Sequence, residues 1–195
     1  MERKLGNPAV VGLAGFGMTT LILQFYNLGW SGIAPVLWIG LCFGGAAQLI
    51  AGLLEFNNGN NFGFAAFTGY GAFWISLCLM LIFGTSTSVT ASFSAFKFTD
   101  HDLGNYLLMW TIFTAILFVI SMKHNTVLAL LFLTLLLGYI GLDIKEYAGS
   151  SVWGTFAAYD LIICSLLALY LMMATVASES GMKMPIGKPW IHAHA

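Results

Sequence analysis

The chain is divided by where its charges fall. Residues 9–54 carry none, 56–96 carry none, and 103–122 carry none. A hydrocarbon core ~30 Å thick needs ~20 apolar residues in helical form. Each charge-free run therefore supplies at least one spanning helix, and the first two are long enough for two or nearly two. Polar punctuation sets the divisions. Six helices are predicted, over residues 8–26, 33–54, 64–84, 103–121, 126–142 and 152–177. The segment 27–32 is a turn, with Tyr26 and Trp30 suited to a membrane interface. Residues 55–61 form a polar loop, and 85–102 form a longer connection rich in Ser and Thr. Lys123, His124 and Asn125 make a tight turn, and 143–151 form a loop holding Lys145 and Glu146. The organisation is an arm at 1–6, a transmembrane domain at 7–178 and a polar tail at 179–195.

The first helix has a marked start. Asn7 fits an N-cap, whose side chain accepts from an early helix amide. Pro8 fits the first helical position, where a missing N–H costs nothing. Within the helix, Phe16, Thr20 and Gln24 recur at intervals of four and share a face, with Thr19 beside it. In the second helix Gly40, Gly44, Gln48, Gly52 and Glu55 make one narrow stripe, whose small residues let another backbone approach.

Composition fixes the class. The 195 residues are 59% hydrophobic and 8% charged, against about 25% charged in a soluble domain. So few charges cannot coat a water-facing surface, and the chain reads as an all-α integral membrane protein. A net charge of −1 leaves no basic patch for nucleic acid. Cys42, Cys78 and Cys164 all fall in apolar segments and read as buried free thiols. The first apolar run is too long for a cleavable signal peptide. Arg3, Lys4, Lys123, Lys183 and Lys188 fall on one side, and only Lys97 and Lys145 on the other. This bias places both termini in the cytoplasm.

Polar groups inside a bilayer are costly and are read as functional by default. The Thr19 and Thr20 hydroxyls either bond back to their own helix or face a path. Gln48 either bonds a neighbouring helix or donates into a path. Gln24 lies near a helix end and meets headgroups. Glu55 reads as a solvated or capping acid, with a proton site as the alternative. Asp160, two turns into the last helix, shares a stripe with Cys164, Ala168 and Met172. It is either an interfacial acid or a protonatable site coupled to transport. His101, His124, His192 and His194 sit in loops or the tail, and no metal, cofactor or catalytic constellation is expected. These residues alone predict a six-helix transporter or channel and leave its substrate open.

Asn7-Pro8-Ala9-Val10-Val11-Gly12-Leu13 resembles the N-P-A-P-L-G-L opening of the acetate uptake transporter family, the succinate–acetate permease group (GPR1/FUN34/YaaH-type), with Val10-Val11 standing where that opening has Pro-Leu. The resemblance continues through Gly15-Phe16-Gly17-Met18-Thr19-Thr20, Gly44-Gly45-Ala46-Ala47-Gln48 and Ala51-Gly52-Leu53-Leu54-Glu55. It extends over Gly59-Asn60-Asn61-Phe62-Gly63, Ala66-Phe67-Thr68-Gly69-Tyr70-Gly71-Ala72-Phe73-Trp74 and the tail motif Pro185-Ile186-Gly187. Beyond residue 103 it rests mainly on hydropathy.

This resemblance implies a six-helix protomer in the cell membrane, assembled as a hexamer, each protomer with its own path for acetate and in some members succinate. It implies an apolar constriction at Phe16, Tyr70 and Leu135, with Ala168 near the path. The chemistry agrees. A carboxylate needs donors, which Thr20 and Gln48 provide, and the capped start of the first helix at Asn7 is an anion site. No Arg or Lys lies deep in a helix, so binding stays weak enough for release. Anion channel or proton symporter stays open, with Glu55 and Asp160 as the acids that could carry a proton. An ammonium or water channel, or a membrane sensor or scaffold, is the alternative.

Overall fold

The apolar spacing becomes six long helices in the computed structural model, which describes residues 6–191. They are α1 (Ala9–Asn27), α2 (Ala34–Asn57), α3 (Asn61–Gly84), α4 (Asp100–Ser121), α5 (Thr126–Ala148) and α6 (Ser151–Glu179), each long and apolar enough to cross a membrane. Arg3, Lys4, His192 and His194 lie outside the described residues, so the expectations that rest on them are not addressed.

Each helix packs on its neighbours in sequence, and α6 returns to α1, which closes a ring. The backbones of α3 and α4 stand apart. Aromatic side chains fill that seam, with Phe73 stacked on Tyr106 (5.9 Å, 19°) and edge-on to Trp110 (5.3 Å). Up-and-down succession puts the starts of α1, α3 and α5 on one face with the tail. We call it the terminal face.

Those three starts share one device. Asn7 Oδ1 accepts from the Ala9 amide at 3.0 Å, Asn60 Oδ1 from Gly63 at 3.1 Å and Asn125 Oδ1 from Leu128 at 2.9 Å. Pro8 has helical dihedrals (φ −63, ψ −25), so Asn7 caps and Pro8 opens the helix, as its sequence indicates.

Close packing replaces the hydrophobic effect as the glue between helices in lipid. A Cβ on Gly44 would stand 2.5 Å from Thr19 Oγ1, and one on Gly71 would stand 2.7 Å from the Leu49 amide. Residues Gly40–Ala47 of α2 wind as a π-helix, which departs from the regular helix assumed for the glycine stripe.

Several predicted boundaries move outward, for one reason. Polar residues that read as loop are bonded inside helices. α2 continues past residue 54 because Glu55 is 3% exposed and accepts from Asn60 Nδ2 at 2.9 Å. α3 begins at Asn61, directly after its cap. α5 continues past residue 142 because Asp143 accepts from Thr111 Oγ1 at 2.7 Å; it stops where Gly149 takes φ 62, a left-handed conformation natural to glycine. α4 begins at Asp100 because Thr99 and Asp102 form a reciprocal capping box, a helix-start signal. The connection before it holds a short helix, Thr87–Ser92, and a 3-10 turn, Ser94–Phe96.

The tail crosses the terminal face as a strap. The Val127 amide donates to Ile186 O at 3.1 Å, and the Trp190 amide donates to Met122 O at 2.8 Å. Thr126 Oγ1 donates to Lys188 O at 2.7 Å. The turn between α4 and α5 is thereby tied down.

Candidate functional site

A cavity of about 190 Å³ opens between the three asparagine-capped helix starts. Asn60, Asn125 and His124 stand at its mouth. Ala9 and Leu13 of α1, Phe62 and Ala66 of α3, and Leu128 and Phe132 of α5 make its sides. Its floor is Phe16, Tyr70 and Leu135. No lining residue of α1, α3 or α5 lies beyond these three.

The floor follows from the caps. Phe16 is nine residues past Asn7, Tyr70 is ten past Asn60, and Leu135 is ten past Asn125. At 1.5 Å per residue each floor residue hangs about 14–15 Å below its cap. Three equal drops bring three side chains to one level. Phe16 and Tyr70 meet at 5.6 Å and 52°. All three are at most 5% exposed and share one buried cluster. Tyr70 is held from behind, its hydroxyl 2.9 Å from Thr114 Oγ1 and its ring edge-on to Phe113 at 5.5 Å.

Gln48 lines the cavity beside this floor. It is fully buried, and neither its Nε2 nor its Oε1 has a partner. A hydrogen bond to a neighbouring helix is therefore not what holds it. A buried, unbonded amide costs about 1–3 kcal/mol, and such groups in native proteins call for a reason. The side chain faces a cavity that already offers three helix N-termini, each with partial positive charge. The site can receive an anion's oxygens on Gln48 and its methyl on the apolar floor, under the positive field of the three helix starts above.

Other predicted residues stand at measured removes. Asn7 is exposed and lies off the wall, although its bonded neighbour Ala9 is on it. Thr20 is one turn past Phe16, beyond the floor, 4% exposed, and its hydroxyl has no partner. Thr19 is likewise buried and unbonded, so neither hydroxyl bonds back to its helix. Ala168 is fully buried in the core cluster; Leu171 and Thr175, one and two turns nearer the terminal face, reach the wall instead. Gln24 does not meet headgroups. It is fully buried, donates to Thr20 O at 3.1 Å and accepts from Asn27 Nδ2 at 2.9 Å.

Of the two acids, Glu55 is the nearer. It is not solvated: it is buried against the first turn of α3, with Oε2 bonded to the wall residue Asn60 and Oε1 unbonded. Asp160 is half-buried against Gly138 of α5, with Oδ2 unbonded, and is absent from the wall. All three cysteines are free, and Cys42 is exposed on the outer face rather than buried.

Some residues escaped the sequence reading. Asn60 and Asn125 read only as loop residues, although each precedes an apolar run as Asn7 does. His124 read as part of a turn. Phe73 and Tyr139, 5.8 Å apart, lie one turn beyond Tyr70 and Leu135 and form a second buried layer behind the floor.

Comparison with known proteins adds a second line. A model of the GPR1/FUN34/yaaH family matches residues 1–188. The succinate-acetate/proton symporter SatP of Escherichia coli (strain K12) is 38% identical over 191 residues, covering 95% of this chain and 97% of that protein. Acetate permease A of Emericella nidulans is 36% identical over 148 residues, covering 73% of this chain and 50% of its own length. Ammonia transport outward protein 2 of Saccharomyces cerevisiae is 36% identical over 186 residues, covering 90% and 63%. The structure of the bacterial acetate channel SatP matches with a TM-score of 0.87 at 37% identity, covering 94% of this chain and 100% of that one.

Proposed function

The chain belongs to the GPR1/FUN34/yaaH family, and from that premise we propose that it moves acetate, with succinate second, through the cavity between α1, α3 and α5. The observation that carries this reading is the unbonded Gln48 amide beside an apolar floor, beneath three helix N-termini. A carboxylate with one methyl suits that division. A cavity of about 190 Å³ has room for a small carboxylate together with water. Phe16, Tyr70 and Leu135 set the size limit, and Thr20 receives the substrate below them. Ala168 backs the floor from α6, and Asn7 fixes the first of the three helix starts.

Glu55 couples transport to protons. It lies one hydrogen bond behind the wall, at Asn60, whereas Asp160 is absent from the wall and has no bond to a wall side chain. The chain resides in the cell membrane with both termini in the cytoplasm. Lys123, Lys183 and Lys188 on the terminal face, against Lys97 and Lys145 opposite, support that orientation. Arm 1–6 and tail 179–195 are then cytoplasmic. Six copies assemble, each with its own path. The apolar outer stripe of α4 (Met109, Ile112, Ile116, all at least half exposed) meets lipid or a neighbouring copy.

Labelled uptake into liposomes holding the purified protein tests the reading. Acetate accumulates above protein-free vesicles, and an inward proton gradient drives it in the parent and not in Glu55→Gln. Clear ammonia or water flux without acetate flux contradicts acetate transport. Gradient-driven uptake retained after both Glu55→Gln and Asp160→Asn contradicts coupling through these acids.

A further inference from the structure

The wall of the cavity carries one imidazole and no lysine or arginine among the described residues. His124 stands at the mouth, exposed, beside the Asn125 cap of α5. Its ring lies against Phe62 of α3 at 4.7 Å and 40°, and Phe62 in turn meets Phe132 at 5.3 Å. The imidazole therefore rests on a fixed aromatic ring that holds it at the mouth. Its backbone is fixed as well. The His124 amide donates to Ser121 O at 3.0 Å, and Met122 O accepts from Trp190 and Ile191 of the strap.

We propose that His124 is the capture residue of the terminal face, a cation that draws a small carboxylate into the mouth and hands it inward to Gln48. This inference rests on the transport reading above and names the residue that governs entry. The buried, unbonded Gln48 amide on the same wall is the independent sign that the cavity receives a polar ligand. A mouth cation and a floor amide divide the work. The exposed cation raises local anion concentration through its field, and the neutral amide binds without trapping.

The charged surroundings are few. Lys123 precedes His124 in the turn and lies off the wall. Glu55, at the end of α2, faces the mouth through its bond to Asn60. From the tail, Lys188 approaches through its carbonyl, bonded to Thr126. The lining residues of α1, α3, α5 and α6 carry no charge.

The test is labelled acetate uptake into vesicles whose orientation is fixed by protease access to the C-terminus, with substrate supplied at the terminal face and leak through protein-free vesicles subtracted. At pH 6, His124→Gln raises the half-saturating concentration about three- to fivefold, the reach of an exposed ion pair, and more than it lowers the maximal rate. His124→Lys, which keeps a cation at the mouth, holds half-saturation at or below the parental value. Lys123→Gln shifts half-saturation less than His124→Gln does. Equal half-saturation for parent and His124→Gln at pH 6 overturns the proposal. So does a His124→Lys indistinguishable from His124→Gln, or an equal effect of Lys123→Gln. Those results leave acetate transport standing, whereas a parent that moves no acetate overturns transport and capture together.

Discussion

Single side chains decide what this cavity accepts, and Gln48 is the most exposed to test. Its amide is desolvated and unbonded, so it costs stability in the empty protein. Gln48→Leu keeps the volume and removes that cost, which raises stability by about 1–2 kcal/mol. Acetate transport falls in the same variant. A thermal melt in detergent and an uptake assay on one preparation check both halves. A lower melting temperature would mean that Gln48 is structurally bonded after all. Leu135 sets size. Leu135→Ala opens the floor and lets lactate through, at a stability cost of roughly 2–5 kcal/mol for a buried leucine. Uptake of acetate and lactate both at parental levels would remove Leu135 from the constriction.

The residue scale also shows what a sequence can carry. Phe16 and Tyr70 stand inside dense motifs, and both line the cavity. Leu135 is implied by the family resemblance in a stretch without dense motifs, and it lines the cavity as well. Gln48 left two readings open, because a sequence does not say whether an amide finds a partner. Glu55 misled for a related reason. An acid at the end of an apolar run reads as solvated, but here only three residues separate α2 from the next helix, whose first turn covers the carboxylate.

Among the elements, the three asparagine-capped helices do the positioning. Each cap satisfies an early amide, aims a partially positive terminus at the cavity mouth, and sets the depth of one floor residue. The second and third caps were legible in principle, since Asn60 and Asn125 both precede apolar runs. They were absorbed into polar loops because neighbouring asparagines and a lysine made those stretches look uniformly irregular. The strap was not legible. Its bonds pair residues some 60 positions apart, such as Thr126 with Lys188, and nothing local announces them.

The strap makes its own prediction. Gly187 has φ 75, and a side chain there would collide with Thr126. Gly187→Val therefore combines backbone strain with a clash, a cost of roughly 1–3 kcal/mol, and frees the tail. Limited proteolysis should cut between residues 181 and 191 faster than in the parent, and acetate half-saturation should rise as the 122–125 turn loosens. An unchanged cleavage rate would show that the strap does not depend on this contact.

At the scale of the whole molecule, the ring of six helices encloses a cavity that opens toward the terminal face and ends at an apolar floor. The closure has two layers, Phe16 with Tyr70 and Leu135, then Phe73 with Tyr139. An apolar plug of that depth excludes water, so passage requires these rings to move apart or the substrate to cross stripped of water. Shape and chemistry both select for a small, partly apolar carboxylate. The central claim is that the substrate lies inside the protomer, above the first layer. Crystals of the purified protein soaked in bromoacetate, with the bromine located by anomalous scattering, test it most directly. The account predicts a bromine peak over the Phe16, Tyr70 and Leu135 floor, with the carboxylate on the Gln48 amide. Bromine found only between protomers or on the outer surface, with this cavity empty, would contradict it.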